Sequence, residues 1–345
     1  HMPTLKDIAT KAGVSITSVS RVLNRDDSFS ISESTKKKIW ETAEELGYKG
    51  TGTNAEEEAA RGKATVALVL LYSEYDEIMD SYYQLIRVTV KDALIEKGCR
   101  VREFFCPAKE GKELDMSRFS GTILIGHAGG WYRNEKIRQS VIASGIPVVF
   151  ADFDPEDMEV EADCVVNDFH SLVEKALSHF FRLSYTTIGY VGTYGVAVSG
   201  RAVEDKRFLY FKQILEEQGL YREEFVWKTD INYAQNAYRL CCQMIENGDL
   251  PRALFIENDA MAMGCLRAFE ENGIRVPEEL SVISCNDVPT VEFISPALST
   301  VHIYGDLIGS MSAELLVEQM RTGRVRGIRA VIPNKLILRQ SCARE

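Results

Sequence analysis

The sequence predicts a helix-turn-helix head of three helices, followed by an α/β domain of two lobes built on parallel sheets. The chain of 345 residues opens with two short helical patterns joined by a glycine turn. From residue 65 onward, short apolar strands alternate with amphipathic helices, which is typical of parallel sheets covered on both faces. The length is enough for two such sheets beside a small head. We therefore expect the head at 1–50, a linker at 51–64 and the two lobes at 65–345.

The head begins with residues 5–24, which read LKDIATKAGVSITSVSRVLN. Apolar side chains share one face of the first helical pattern at Leu5, Ile8, Ala9 and Ala12. In the second pattern they fall at Val19, Val22 and Leu23. Gly13 permits a tight turn between the two helices, and Ser15 can cap the second helix with its hydroxyl. The two patterns therefore predict a helix-turn-helix.

The second helix leaves a mixed face pointing away from the core of the head. An ordinary helical hairpin inside a larger core is the alternative, but outward-pointing Ile, Thr and Ser side chains beside an arginine have no core to pack against. Such a face fits the major groove of DNA. Arg21, Thr17 and Ile16 are expected to contact base edges. The side chains expected to bond phosphates are Ser15, Ser18, Ser20 and Asn24.

A third helix is expected from residue 32 to about residue 46. Its apolar residues, which are expected to close the core of the head, are Ile39, Trp40, Ala43 and Leu46. Residues 49–64 contain glycine, threonine and three consecutive glutamates, a composition typical of a linker.

The chain carries a formal net charge of −11, which at first argues against a DNA-binding protein. Residues 1–50, however, contain eight Lys or Arg against seven acidic residues, so the acidic excess lies in the larger domain. Net charge bears on partners rather than on fold. This distribution predicts weak non-specific DNA binding and a strong dependence on salt.

The eight cysteines show no CxxC spacing and no cluster with histidine, so they are expected to be reduced thiols of a cytoplasmic protein. Neither a metal site nor a cofactor is predicted. We expect no signal peptide and no membrane segment, since the longest apolar runs are too short to span a bilayer. We find no GxSxG, P-loop or HExxH motif and no credible Cys-His pair, so an enzyme is not predicted.

The larger domain shows a regular alternation of elements. Strands are predicted at 65–72, 100–106, 121–126, 147–152, 163–167, 187–192, 225–229, 252–257 and 280–285. Helices are predicted at 81–97, 134–144, 169–182, 204–218, 233–247, 259–272 and 306–321. The expected lobes are about 65–153 with 290–320, and about 160–286 with 325–345.

Polar side chains follow several predicted strands, where a parallel sheet meets its ligands. They are Asp152, Asn167, Asn258 and Asn286, together with Arg207 on the first turns of a helix. A sugar ring needs planar groups that accept and donate across adjacent hydroxyls, and Asp, Asn and Arg do this best. Tyr82 and Tyr83 follow the first strand and can form a platform for an apolar ring face.

Structural roles are the alternative for several of these positions. Asp259, rather than Asn258, is expected to cap the helix that follows it. Asp168 can cap the helix at 169–182, and Arg207 can pair with Glu204.

The head resembles the N-terminal domain of the lactose/galactose-repressor family of bacterial transcription regulators. The matching residues are Leu5, Asp7, Ile8, Ala9, Ala12, Gly13, Val14, Ser15, Val19, Ser20, Arg21, Val22, Leu23 and Asn24. The larger domain is similar to the periplasmic-binding-protein-like fold that this family uses as its sensor, so the resemblance covers essentially the whole chain. In that fold the chain crosses between the lobes three times. Here we expect the crossings near 153–162, 286–292 and 318–328.

The resemblance implies a homodimer that binds a pseudo-palindromic double-stranded DNA operator and is released by a small-molecule sugar effector. It also implies that Asp152, Arg207, Asn258 and Asn286 line the effector site. The runs DSYYQLIR, LFIENDAMAMG, ISCNDVPT and STVHIYGDLIG resemble repressors of galactose and β-galactoside genes. Galactose or a galactoside is therefore the expected effector. A purine effector, a corepressor-type response and a transport-type sugar-binding protein are the alternatives.

The linker departs from the family pattern, in which a hinge helix places a leucine in the minor groove. Ala60 takes the place of that leucine, and Gly50 stands where a proline is usual. Glu56–Glu58 would be repelled by phosphates. We therefore expect a weak hinge, or one that docks differently.

Overall fold

The computed structural model of the chain describes residues 4–23, 31–46, 64–155, 160–198, 201–248 and 250–344. The chain divides into two compact units, His1–Lys63 and Ala64–Glu345. The division falls at the end of the expected linker. Residues 51–63 of that linker lie outside the described residues, and so does Ala60.

The first unit has three helices, α1 (Leu5–Ala12), α2 (Ile16–Leu23) and α3 (Glu33–Glu45). Thr4 and Asp7 cap α1 reciprocally, each side chain accepting a hydrogen bond from the other residue's backbone N–H. Gly13 ends α1 with φ 69, the left-handed conformation that makes the sharp turn possible. The predicted helix-turn-helix is confirmed. The buried core of the head consists of Ile8, Ala9, Ala12, Val19, Val22, Ile39 and Ala43.

The expected apolar face of α3 is wrong at Trp40. Ile39 and Ala43 are buried, whereas 44% of Trp40 is exposed. Adjacent positions in a helix point about 100° apart, so Ile39 and Trp40 cannot both face the same small core.

The first sheet of the second unit consists of six parallel strands. They are β1 (Thr65–Leu70), β2 (Arg100–Phe105), β3 (Gly121–Ile125), β4 (Val148–Ala151), β5 (Asp163–Asn167) and β13 (Arg329–Ile332). Their order is β13-β5-β4-β3-β1-β2. Its helices are α4 (Glu74–Met79), α5 (Tyr82–Glu96), α6 (Ala128–Arg133), α7 (Glu135–Ser144) and α12 (Gly305–Thr322). The inner strands are buried along almost their whole length, which explains their continuous apolar sequence.

The second sheet also has six strands, in the order β14-β12-β11-β10-β6-β9. They are β6 (Ile188–Thr193), β9 (Val226–Thr229), β10 (Ala253–Ile256), β11 (Ser281–Asn286), β12 (Ser299–Ile303) and β14 (Asn334–Ile337). All neighbours are parallel except β14, which runs antiparallel to β12. Its helices are α8 (Phe169–Arg182), α9 (Lys206–Glu217), α10 (Ala234–Asn247) and α11 (Asp259–Glu271). A hairpin of β7 (Val196–Val198) and β8 (Arg201–Val203) precedes α9.

Close packing of α10 on α11 depends on a glycine. A Cβ built on Gly264 would lie 2.0 Å from the carbonyl oxygen of Ala234, so any larger residue would push the two helices apart. These helices border the part of the second sheet from which several predicted effector residues emerge.

The predicted strands and helices are confirmed, but the expected assignment of segments to lobes is wrong for three strands. Strand β5 belongs to the first sheet and β12 to the second, and the C-terminal pair β13 and β14 is divided between them. The chain therefore crosses at 167–169, 303–305 and 332–334 instead of the expected positions. Alternation of strands and helices indicates which segments form sheets, but it does not specify the neighbours of each strand.

No helix among the described residues has the length and apolar character that spanning a membrane requires.

Candidate functional site

The outward face of α2 carries the side chains predicted to read DNA. Ile16, Thr17 and Arg21 are exposed, and the exposed fraction of the large apolar Ile16 is 48%. Ser18 and Ser20 are half-buried on the same helix. In a helix-turn-helix, the N-terminal residues of the second helix reach base edges while the neighbouring residues contact the backbone. The exposed face of α2 therefore has the composition needed for both kinds of contact.

Ser15 also has a structural role at the start of α2. Its Oγ accepts a hydrogen bond from the Ser18 N–H at 3.0 Å and lies 2.8 Å from the Ser18 Oγ. This is the helix cap that the sequence predicts. Asn24, which is also predicted to contact phosphate, lies outside the described residues.

The second unit gathers most of the predicted effector residues at the carboxyl ends of its strands. Asp152 directly follows β4, Asn258 lies just beyond β10, and Asn286 ends β11. Ligands of doubly wound sheets bind at this edge. Asp152 has φ 73 and Asn286 has φ 118, and non-glycine residues with positive φ cluster at functional sites. The region where the carboxyl ends of the strands of the two sheets meet, here called the cleft, is therefore the candidate effector site.

Two tyrosines at the start of α5 join this cluster. The Tyr82 hydroxyl donates a hydrogen bond to Asp152 Oδ1 at 2.9 Å. Tyr83 stacks on Tyr72, with ring centroids 4.9 Å apart. Burial raises the pKa of Asp152 to about 7, although the Tyr82 hydrogen bond and the charge of Arg207 oppose the shift. Burial and the charge of Asp152 raise the pKa of Tyr83 well above its usual value, so its hydroxyl keeps its proton.

Arg207 lies in the cleft as predicted, but its donors are already engaged. Its Nε and Nη2 donate to the two carboxylate oxygens of Asp205 at 2.8 and 2.7 Å. Its Nη1 donates to the Glu257 carbonyl oxygen at 2.7 Å and lies 3.7 Å from Cys285 Sγ. Nη2 is also 3.5 Å from the Glu257 carboxylate. The guanidinium further lies over the Phe169 ring, 5.7 Å from its centroid.

The alternative pairing of Arg207 with Glu204 is wrong. Glu204 accepts instead from Lys228 Nζ at 2.8 Å. Asp205 is the partner that sequence reasoning missed, and it also caps α9 by accepting the Arg207 N–H at 2.8 Å. An aspartate two residues before an arginine at a helix start was the available signal, because the helix cap places the two side chains side by side.

Glu257 is a second missed residue, and it is almost completely buried. Its carboxylate accepts the Thr193 N–H at 2.6 Å and the Tyr190 hydroxyl at 3.2 Å. Burial and the charge of Asp205 raise the pKa of Glu257. Burial alone would also raise the pKa of Asp205, but the charge and hydrogen bonds of Arg207 lower it below its usual value.

Asn258 caps α11, accepting the Met261 N–H at 2.8 Å, so the expectation that Asp259 caps this helix is wrong. The Asn258 amide Nδ2 lies 3.3 Å from an Asp80 carboxylate oxygen, which brings Asp80 into the cleft. Burial raises the pKa of Asp80. Asp259 is buried behind the cleft, where it accepts hydrogen bonds from Ser284, Thr300 and the Val288 N–H.

Asn167 lies at the first crossing between the sheets and contacts another crossing residue. Its Oδ1 is 3.4 Å from Asn334 Nδ2, while its own buried Nδ2 has no hydrogen-bond partner among the described residues. Lys175 Nζ donates to both oxygens of Asn334 at 2.7 Å. Asp168 caps α8 by accepting the Ser171 N–H at 3.0 Å, as the alternative for that position predicted. The structure thus places Asn167 with the crossings and not with the Arg207 group.

His127 adds a neutral polar group to the first-sheet side of the cleft. Partial desolvation, together with the charges of Arg133 and Arg207, lowers the pKa of His127, while the side chain stays exposed to solvent. Nδ1 accepts the Gly130 N–H at 3.3 Å. The proton of the neutral ring is therefore on Nε2, which is left as a donor.

Contacts also cross between the two lobes. The Tyr233 hydroxyl at the start of α10 donates to Asp76 in α4, and its ring meets Tyr75 edge to face at 5.9 Å. Lys206 in α9 pairs with Asp154, which follows β4. Together with the contact between Asn258 and Asp80, these contacts join the two lobes across the cleft.

Comparison with known proteins matches both units. Residues 4–50 match bacterial regulatory proteins of the lacI family, and residues 177–342 match the periplasmic binding protein-like domain. The HTH-type transcriptional regulator GalR of Streptococcus thermophilus is 32% identical over 344 residues, covering 99% of each chain.

Two solved structures show the same fold. The transcriptional regulator CelR–cellobiose complex has a TM-score of 0.69 at 23% identity and covers 98% of this chain and 99% of its own. The lac repressor dimer bound to operator and the anti-inducer ONPF has a TM-score of 0.67 at 22% identity and covers 99% of this chain and 100% of its own.

A helix-turn-helix head followed by a two-sheet sensor defines a bacterial DNA-binding transcription regulator. The chain belongs to the LacI family. This family consists of transcription regulators and not of enzymes.

Proposed function

We propose that this chain represses sugar-utilisation genes as a cytoplasmic homodimer. In this proposal, two heads bind a pseudo-palindromic operator, and binding of galactose or a galactoside in the cleft releases them. The observation that carries it is the presence, in one chain, of an exposed α2 face and a cleft where charged, amide and tyrosine side chains converge. The solved relatives are described with cellobiose in one case and with operator DNA in the other, which supports both halves of the proposal.

The proposed reading of DNA follows from the exposure of α2. Arg21, Thr17 and Ile16 contact base edges, with Arg21 able to form a two-bond fork to guanine. The phosphate contacts are assigned to Ser15, Ser18, Ser20 and Asn24, and these set the register of the head on the duplex. Two heads of a dimer then meet half-sites about one helical turn apart.

The proposed effector contacts come from both sides of the cleft. Tyr83 and Asp152 lie on the first-sheet side and can stack on, or accept hydrogen bonds from, a sugar ring. Asn258, Asn286 and Arg207 lie on the second-sheet side. The Asn286 side chain lies at the end of β11, 6% exposed, and is proposed to offer its amide group to the ligand. Tyr82 acts through Asp152, and Asn167 through the crossing that it shares with Asn334.

The experiment is a selection of operators from randomised duplex DNA, followed by fluorescence-anisotropy titrations. Arg21→Ala should weaken binding to the selected operator about 5- to 150-fold, which corresponds to about 1–3 kcal/mol for a lost base fork. Arg21→Lys keeps the charge but not the fork, so it should recover affinity for non-specific DNA and not for the operator. Equal operator binding by wild type and both variants would remove Arg21 from the base contacts.

The effector arm repeats the titration with galactose, lactose, glucose phosphates and purines. Galactose or lactose should lower operator affinity, while purines should not. A purine that raises operator affinity would overturn the sugar effector and establish a corepressor response. If no duplex is selected, the proposed DNA binding by the head is overturned.

A further inference from the structure

The charge balance of the cleft points to a ligand that carries no negative charge. Four carboxylates line it or lie directly beneath it, those of Asp80, Asp152, Asp205 and Glu257. The charge of Asp205 adds to burial in raising the pKa of Asp152 and the pKa of Glu257, so these three groups lie close enough to influence one another. A further anion would meet this repulsion in a partly enclosed site, where charges interact more strongly than in water.

The cations in the neighbourhood do not offset this charge. The Arg207 guanidinium already donates hydrogen bonds to Asp205 and Glu257. Lys228 is held by Glu204, and Lys206 by Asp154. Arg133 near His127 is exposed on α6, where solvent screens it. His127 itself is neutral near pH 7.

We propose that the cleft selects uncharged sugars over phosphorylated or carboxylated ones, and that Asp205 sets this selectivity by occupying Arg207. This inference rests on the proposed sugar effector. Sugar hydroxyls donate hydrogen bonds to the carboxylates, which gives a neutral sugar partners that a phosphate or carboxylate group cannot use. Asp205 is a positioning residue, because it acts on the ligand through the guanidinium that it neutralises.

The test compares two probes of nearly equal shape, D-galacturonate and D-galacturonamide, with D-galactose as reference in isothermal titration calorimetry. Wild type should bind galactose and the amide, and it should bind galacturonate at least 100-fold more weakly than the amide. In Asp205→Asn the difference between the two probes should shrink at least tenfold, since Arg207 becomes available to an anion. Asparagine is a good helix cap, so α9 should stay intact.

Asp168→Asn is the matched control. Asp168 caps α8 in the way that Asp205 caps α9, but no cation pairs with it among the described residues. This variant should keep the wild-type ratio of galacturonate to galacturonamide affinity. A merely structural role of Asp205 would weaken both probes equally and leave the ratio unchanged, and that result overturns the inference.

The remaining outcomes separate the two proposals. Binding of galacturonate as tightly as galacturonamide to wild type overturns the charge selectivity while the sugar effector stands. If neither galactose nor the amide binds, the same comparison is made with glucose, glucuronate and glucuronamide. Absence of binding by every neutral sugar overturns the sugar effector itself, and the charge selectivity falls with it.

Discussion

Arg207 holds the second-sheet side of the cleft together through two carboxylates. Its side chain is 15% exposed, and Glu257 beneath it is 3% exposed. Removing one partner of a buried ion pair leaves the other charge uncompensated, which costs about 3–5 kcal/mol. Arg207→Ala should therefore lower the free energy of unfolding by about 3 kcal/mol. This is the lower end of that range, because Asp205 keeps some contact with solvent. Urea unfolding followed by circular dichroism measures this loss.

Arg275→Ala is the control for that measurement, because Arg275 pairs with Glu279 on the surface. Surface pairs contribute little, so its urea midpoint should stay unchanged. The same Arg207→Ala protein should bind operator DNA like wild type but fail to respond to sugar. An equal loss of stability in both variants would show that the Arg207 group is not the support of the cleft.

Asp152 gives the stability of the larger unit a specific pH dependence. Its pKa is about 7 in the folded protein against 3.8 when unperturbed. Between about pH 4 and pH 7 the folded state keeps a proton that the unfolded state releases, so stability falls as pH rises through this window. Asp152→Asn should make the fall shallower and raise stability at pH 8 by at most about 4 kcal/mol, at 1.36 kcal/mol per pKa unit.

Asparagine suits this position for two further reasons. It can still accept the Tyr82 hydroxyl, and it tolerates the positive φ of residue 152 better than most side chains. Part of the pH dependence should survive the substitution, because burial raises the pKa of Asp259 to about 7 as well. Thermal unfolding at pH 4, 6 and 8 checks the prediction, and identical curves for wild type and Asp152→Asn would contradict it.

At the scale of the elements, the sequence predicted the regular structure far better than its arrangement. Strands such as β3 are buried on both faces and read as apolar runs, and a helix such as α8 shows a clear apolar stripe. Strands β13 and β14 lie at sheet edges with mixed exposure, and their sequences carry no comparable pattern. Sheet membership depends on pairing between distant segments, which is why β5 and β12 were expected in the wrong lobes.

The site was predictable to a similar degree. Residues that follow buried strands, such as Asp152 and Asn258, could be found because polar groups at strand ends stand out against apolar runs. Asp205 and Glu257 were missed because their roles depend on where the guanidinium of Arg207 folds back. The ligand contact of Asn167 stays a prediction, and the sequence did not reveal that Asn334 lies beside it.

Helices α4 and α10 face each other across the two lobes through Tyr233. Its hydroxyl donates to the Asp76 carboxylate, a type of hydrogen bond with a net contribution of about 1.5–3 kcal/mol. If sugar binding requires this contact between the lobes, Tyr233→Phe should weaken galactose binding about tenfold, since the ring contact with Tyr75 is retained. Calorimetric titration measures the effect. The control is Tyr238→Phe, whose hydroxyl contacts Glu271 within the second lobe, and it should leave the sugar affinity unchanged.

At the scale of the whole molecule, the two units differ in net charge, and this difference affects DNA binding. The chain is strongly acidic, yet residues 1–50 are nearly neutral, so only a few basic groups can contact the phosphates. Affinity for any duplex should then be low at physiological salt, and specific contacts must supply most of the discrimination. In the proposed mechanism, the negative charge of the larger unit disfavours non-specific contact with DNA after release from the operator.

Coupling between the cleft and the head must be reciprocal if the proposed mechanism holds. A sugar that lowers operator affinity by some factor must itself bind the operator complex more weakly by the same factor, because both changes express one coupling free energy. A typical coupling of about 1–3 kcal/mol corresponds to about 5- to 150-fold in each direction. Anisotropy titrations of operator with and without saturating galactose give one factor, and calorimetric titrations of galactose with and without operator give the other. Two unequal factors would mean that galactose acts through a further site or a change in oligomeric state, and a sugar that tightens operator binding would reverse the proposed response.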